Sequence, residues 1–294
     1  MATRAWSAAV LALLALIAAT APGGASGRAE PPASHVVLIV LENHEYDQVV
    51  GNPEAPYLNR LARRGTLATN YYAVAHPSLP NYLALLGGST FGIAENCTEC
   101  AARGANLPSQ LSRTGISWRA YMEDLPYPCF GGSEAGEYVK RHDPFMYFPS
   151  IADNPSRCRQ VVPASRLSAD LRRHSLPSFA WLSPGLCNDA HNCGIAVADT
   201  HLSRLVPRIA RQLGPHGILV VSFDEGTTSA GCCGAAGGGH VVTVAIGPGV
   251  PRGRLLARPY DSYSLLAGIE DAFGLPRLRR ARQADPLPLR SWGS

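Results

Sequence analysis

Apolar runs alternate with amphipathic stretches along this chain. His35 to Leu41 (HVVLIVL), Ile218 to Phe223 (ILVVSF) and Val241 to Ile246 (VVTVAI) are continuous and rich in β-branched residues. That is the pattern of strands buried on both faces. Trp118 to Met122 and Ser178 to Leu182 are shorter strand candidates. Between the strands the period changes to that of helices. Pro56 to Arg64 (PYLNRLARR) reads as a helix closed by Gly65. Ser78 to Leu86 opens another after Pro77, and Asp199 to Leu213 carries a stripe of Leu202, Leu205, Ile209 and Leu213, interrupted by Pro207. Ser264 to Phe273 forms a last helix, stopped by Gly274-Leu275-Pro276. Strands separated by helices predict an α/β fold with a mostly parallel central sheet flanked by helices. No repeat or linker divides the chain, so a single domain is expected over residues 34–285, with a tail at 286–294. The aromatic, loop-rich stretch from about Ala101 to Pro163 reads as an insertion over one end of the sheet.

The N-terminus follows a different rule. Arg4 precedes an apolar run from Ala8 to Ala19, then small residues and Gly/Pro up to Gly27. This order predicts a secretory signal peptide over residues 1–27. The run is too short to span a membrane comfortably, and no later apolar stretch reaches the roughly 18 residues of a transmembrane helix. A secreted protein without a transmembrane anchor is expected, and a monomer. Export changes the reading of the eight cysteines. Outside the cytosol they are read as disulfides, although sequence leaves about 105 pairings open. Cys97-x-x-Cys100 is read as structural, with bonds to Cys129 or Cys158 open. Cys187 and Cys193 flank a short loop. The adjacent Cys232 and Cys233 bridge each other only with strain, so bonds elsewhere are open. The 26 basic and 22 acidic residues leave a net charge of only +4, without the basic excess of a nucleic-acid binder.

Two buried strands end in acids: Glu42-Asn43 follows the first and Asp224-Glu225 follows ILVVSF. Sites in parallel sheets form at the carboxyl ends of strands, and oxygen ligands gathered there can hold one divalent metal. Taken singly, each acid is also the ordinary polar start of a loop. The segment His76-Pro77-Ser78-Leu79-Pro80-Asn81-Tyr82 places Ser78 at a helix start, where N–H groups face an anion. A metal on its oxygen would lower the hydroxyl pKa and make a nucleophile. The bland alternative is a helix N-cap. Asp189-x-His191, His240 and His142 add groups able to ligate metal, hold a phosphoryl oxygen or move a proton.

Together these segments resemble the bacterial phosphoesterase family of secreted acid phosphatases and phospholipases C. The matching set is Glu42-Asn43, HPSLPNYLALLGGSTFG with Asn96, Asn188-Asp189-x-His191, Ser222-Phe223-Asp224-Glu225-Gly226 and SYSLLAGIEDAFGLP. It covers roughly Ser34 to Pro276. The resemblance implies an alkaline-phosphatase-like fold and one divalent metal ion of unknown identity. It implies Glu42, Asn43, Ser78, Asp224 and Glu225 as metal ligands, and Ser78 as nucleophile. His191 and His240 fall at catalytic positions, and Asn96, Asn81, Asp189 and His142 at substrate-binding positions. Ser262 stands where relatives often have His, which puts a fully occupied second metal site in doubt.

The expected activity is hydrolysis of a small-molecule or lipid phosphate monoester, phosphoinositides among them, through a phosphoserine intermediate. A phospholipase C-type phosphodiesterase is the alternative, and the compact length favours the phosphatase. A non-catalytic exported binding protein is the weaker alternative. A sulfatase is excluded because Tyr82 stands where its motif needs Arg, and Gly-x-Ser-x-Gly of serine esterases is absent.

Overall fold

Eight strands make one sheet: β1 (Val36–Leu41), β2 (Thr66–Ala68), β3 (Trp118–Met122), β4 (Val161–Pro163), β5 (Phe179–Ser183), β6 (Ile218–Phe223), β7 (Thr243–Ile246) and β8 (Arg254–Leu256). Their order is β8-β2-β7-β6-β1-β5-β3-β4. This computed structural model describes residues 1–2, 32–235 and 237–290, so all but the first two residues of the expected signal peptide lie outside the described residues. Every residue of β1 and β6 is buried, as their unbroken apolar sequences require. β1 lies centrally, parallel to β5 and β6, and β3 continues the parallel array to β4.

β7 alone reverses direction, antiparallel to both β6 and β2. A parallel return needs a crossover, usually a helix, and none lies between Phe223 and Thr243 among the described residues. The reversal brings the start of β7 to the sheet end where β6 finishes.

The principal helices are α1 (Pro56–Arg64), α2 (Ser78–Gly87), α3 (Leu107–Arg113), α4 (Ser165–Arg172), α5 (Ile195–Ala210) and α6 (Ser262–Ala272). α5 begins four residues before the apolar stripe suggests and continues through Pro207. It packs on α1, and the Asp199 carboxylate accepts the N–H groups of Tyr57 and Leu58 at 3.0 and 2.7 Å. α2 is buried along its whole length and packs against α6.

Two expectations change. The stretch from Ala101 to Pro163 is not only a lid of loops, because it supplies β3 and β4 to the central sheet. Nor do residues 286–290 hang free: Leu287 and Leu289 are buried, and Leu287 N–H donates to Ser264 O at 2.8 Å. The arginines before them are also engaged. Arg277 pairs with Asp271, Arg279 lies over Phe91, and Arg280 lies over Tyr263 while bonding Gly234 O.

The cysteines pair as neighbours in sequence: Cys97–Cys100, Cys129–Cys158, Cys187–Cys193 and Cys232–Cys233. The open bonds from Cys97 and Cys100 to Cys129 or Cys158 are therefore not made. Cys232 and Cys233 bridge each other rather than partners elsewhere.

Candidate active site

The site is built at the carboxyl ends of β1 and β6. Their parallel register sets Leu41 against Phe223, so the next residues, Glu42 and Asp224, emerge side by side. Two backbone bonds fix the junction: Asp224 N–H donates to Leu41 O, and Glu42 N–H to Asp189 O, both at 2.9 Å. The second bond draws the Cys187–Cys193 loop onto the end of β1. Asn43 then turns the chain at φ +56°, a left-handed conformation that Asn tolerates.

Ser78 is the first residue of α2 and is buried. Its hydroxyl lies 3.0 Å from Glu225 Oε1 and 3.2 Å from Glu42 Oε2. It does not cap its own helix. Asn96 performs a related task from outside, its Oδ1 accepting Leu79 N–H at 3.0 Å. Asn96 is thereby fixed beside Ser78 while remaining exposed.

Behind Ser78 is a concentration of negative charge. Glu42, Asp189, Asp224 and Glu225 are all buried. Among the described residues none of them pairs with Lys or Arg, and their ion-pair contacts are with histidines alone. Burial drives Glu42 and Asp224 well above the usual carboxylate range, and mutual repulsion adds to it. Burial also pushes Asp189 up to about 7. Neither oxygen of Asp224 has a hydrogen-bond partner. Such a group must be neutralised by protons or by a cation.

Glu42, Asp224 and Glu225 each offer an oxygen within 4.8 Å of the others. Oxygen-only donors around an unpartnered carboxylate suit a hard divalent cation, so the residues present fit one. Asn43 sets its backbone N–H near Asp224. The Tyr82 hydroxyl, one turn along α2 from Ser78, donates to Glu42 Oε1 at 2.5 Å.

Three histidines surround the carboxylates. His142 is buried, stacked on Tyr82, with Nε2 3.2 Å from Glu42 Oε1 and Nδ1 3.3 Å from Asp189 Oδ2. Burial, aided by Arg141, holds its pKa well below the ordinary value, so the ring is neutral. His191 takes its place through the 2.7 Å bond from its N–H to Asp189 Oδ1. Its Nε2 lies 3.4 Å from Arg141 Nη2, and its Nδ1 2.9 Å from Asn192 Oδ1. Arginine only donates, so Nε2 accepts and Nδ1 carries the hydrogen. His76 bonds Glu225 Oε2 through Nδ1 and Thr228 O through Nε2 at 2.8 Å. Burial opposes its charge, but the Thr228 carbonyl and the Glu225 carboxylate outweigh it and raise its pKa.

The structure thus brings together Glu42, Ser78, Asn96, His142, Asp189, His191, Asp224 and Glu225, with the Asn43 backbone beside them. It does not do so for two expected residues. Asn81 is completely buried and spends its amide on the backbone of Val74, Ala75 and Pro77, holding the turn that carries His76. His240 is stacked between Tyr46 and Tyr72, with Nε2 bonded to Thr69 O at 2.9 Å, so its contacts are with these rather than with the carboxylates. Tyr82, His76 and Arg141 also belong to the site. Tyr82 follows Asn81, Arg141 precedes His142 and His76 lies two residues before Ser78, and this proximity is the only signal of them in the sequence.

The model of the Phosphoesterase family matches residues 52–276 of this chain, so Glu42 and Asn43 precede the matched span. A phosphate-repressible acid phosphatase of Penicillium chrysogenum is 31% identical over 255 residues, covering 83% of this chain and 60% of that protein. A phosphatidylinositol-3-phosphatase of Mycobacterium tuberculosis is 32% identical over 268 residues, covering 90% of this chain and 85% of that protein. This chain thus spans less than two thirds of the fungal relative's length and most of the mycobacterial one. Among solved structures, a member of the alkaline phosphatase superfamily from Vibrio parahaemolyticus superposes with a TM-score of 0.60 at 13% identity, over 86% of this chain and 70% of that one. Murine ectonucleotide pyrophosphatase/phosphodiesterase 5 gives 0.54 at 12% identity, over 85% of this chain and 99% of that one. The fold is alkaline-phosphatase-like.

Proposed function

This chain belongs to the Phosphoesterase family, and we propose that it is an exported, metal-dependent phosphomonoesterase acting through a phosphoserine intermediate. The observation that carries this reading is the Ser78 hydroxyl between two buried carboxylates of a cluster that no lysine or arginine pairs with among the described residues. The names of the fungal and mycobacterial relatives support a phosphate ester as substrate, a phosphoinositide included. The four disulfides support export.

Glu42, Ser78, Asp224 and Glu225, with Asn43 at the same turn, would hold the divalent ion. When bound, it would supply positive charge that offsets the carboxylates, favours the ionised hydroxyl and draws electron density from phosphorus. Ser78 Oγ attacks phosphorus in line as the P–O bond to the leaving group breaks, and the alkoxide departs on the opposite side and takes a proton from solvent water. Glu225 Oε1, 3.0 Å away, takes the hydroxyl proton. Asn96, its carbonyl already committed to Leu79, offers its NH₂ to a non-bridging oxygen. Arg141 adds a guanidinium beside His191. Water then cleaves the phosphoserine, its proton passing to solvent as Glu225 returns one to Ser78 Oγ, while Arg141 and Asp189 hold His191 in place. His142 and Asp189 keep this wall in place.

The test sets a phosphomonoester beside a phosphodiester, with and without chelator, in wild type and Ser78→Ala. Monoester turnover lost in Ser78→Ala and in chelator is expected. Full activity in Ser78→Ala would overturn the nucleophile. Diester turnover far above monoester turnover would make the protein a phospholipase C-type phosphodiesterase, and no turnover of either would leave a binding protein.

A further inference from the structure

Glu45 lies three residues beyond Glu42, is 8% exposed, and faces no lysine or arginine within ion-pair distance among the described residues. Backbone donors satisfy its charge instead. Oε1 accepts Thr227 N–H and Thr228 N–H, both at 2.8 Å, and Oε2 accepts His240 N–H at 3.0 Å. Gly226 and Gly239 stand against it, and a Cβ on either would overlap Oε1. The carboxylate therefore fills a socket of N–H groups lined by glycine, and closes the two ends of the 226–240 loop on each other.

From this socket a chain of contacts leads to the nucleophile. Thr228, held through its N–H by Glu45, gives its carbonyl to His76 Nε2 at 2.8 Å. The other nitrogen of His76 grips Glu225 Oε2, which leaves Oε1 to face Ser78 at 3.0 Å. We propose that Glu45 is a positioning residue for Glu225: it fixes the loop whose Thr228 carbonyl aims His76, and His76 fixes the carboxylate that would ligate the divalent ion. The inference rests on the ligand assignment made above. Residues that orient metal ligands without touching the metal commonly change affinity by about 10–100-fold when replaced. The charge of Glu45 matters as well as its shape, because a glutamine there would turn an NH₂ toward one of the three N–H donors.

The test is calorimetric titration of Mn²⁺ into the metal-stripped full chain, with melting in chelator measured alongside. Glu45→Gln and His76→Gln are each expected to weaken Mn²⁺ binding by about 10–100-fold. Phosphatase activity of Glu45→Gln should recover toward wild type at saturating Mn²⁺. Should Glu45→Gln fail to fold, His76→Gln decides, since His76 is about one-third exposed and at the mouth of the site. Affinities within twofold of wild type in the folded variants would overturn the proposal, even if the melting temperature fell, because that is what a purely structural clamp would give. Asp224→Asn is the control. If it binds Mn²⁺ as wild type does, the ligand assignment itself fails, and the proposal with it.

Discussion

Replacing Asp224 by Asn is expected to invert the stability order of wild type and variant according to whether a divalent cation is present. Asp224 is 1% exposed, and neither of its oxygens has a hydrogen-bond partner. In chelator it burdens the fold with a buried, unsatisfied and like-charged group. An unpaired buried polar group costs about 1–3 kcal/mol, and more when charged. Asn occupies nearly the same volume without the charge, and its NH₂ can serve Glu42. For a domain of this size about 1 kcal/mol moves Tm by roughly 2–4 °C, so the variant should melt about 2–10 °C above wild type near pH 7 in chelator. A cation at about 1,000 times its Kd adds about 4.1 kcal/mol to wild type, or roughly 8–16 °C, which exceeds the variant's gain in chelator. In the variant that gain should largely vanish, which leaves wild type the more stable of the two. Differential scanning calorimetry of both proteins with EDTA and with Mn²⁺ measures all four values. A variant that melts below wild type in EDTA, or an equal Mn²⁺ shift in both, would refute the picture of an uncompensated carboxylate awaiting a cation.

Glu270 should give the fold a second dependence on acid. It is fully buried, accepts Leu278 N–H through Oε1, leaves Oε2 unpartnered, and burial pushes its pKa from 4.5 up to about 8. A folded-state pKa raised in this way gives stability that is full below about pH 4.5 and lost as pH rises through about 8, roughly 5 kcal/mol in all. Glu270→Gln should remove that slope, read as the difference between urea unfolding free energies at pH 5 and pH 9. An unchanged slope would show that Glu270 is ionised in the fold. Cys187→Ser with Cys193→Ser opens the short loop that carries Asp189 and His191. Chain entropy sets a loss of about 2 kcal/mol, and displaced site groups should lower kcat/KM by roughly 10–100-fold. Activity equal to wild type would mean that the Asp189 contacts alone hold the loop.

The sequence was legible where one local rule dominated. β1 and β6 are buried on both faces, so their composition announces them, and acids directly after them must reach the sheet end. Ser78 could be placed because proline before a helix start is a short-range signal. Legibility ended where a side chain's partner lies far along the chain. His76 meets Glu225 across 149 positions, and Glu45 meets Thr228 across 183. No periodicity encodes such encounters. Asn81 sits in the same block as Ser78, but the turn at 74–77 took its amide before a substrate could. His240 precedes β7, and the reversal of that strand delivers it to a slot between two tyrosines. The cysteines were opaque for another reason. Pairing depends on loop geometry, and Cys232 bonding Cys233 is the option that a strain argument ranks low.

The same geometry accounts for both the cost and the use of the site. Parallel β1 and β6 set Glu42 and Asp224 next to each other, and the bond from Glu42 N–H to Asp189 O draws a third carboxylate inward. Hydrophobic burial then strips these groups of water, which is why their pKa values rise rather than fall. A fold that needed only stability could replace them with apolar residues of similar volume and gain by it. Their retention at one sheet end makes sense if something positive arrives there. The neutral His142 is informative on this point. It lies between Glu42 and Asp189, and burial and Arg141 hold its pKa well below the ordinary value. The cluster's oxygens fit a divalent cation, beside a serine whose hydroxyl already points at two of its members.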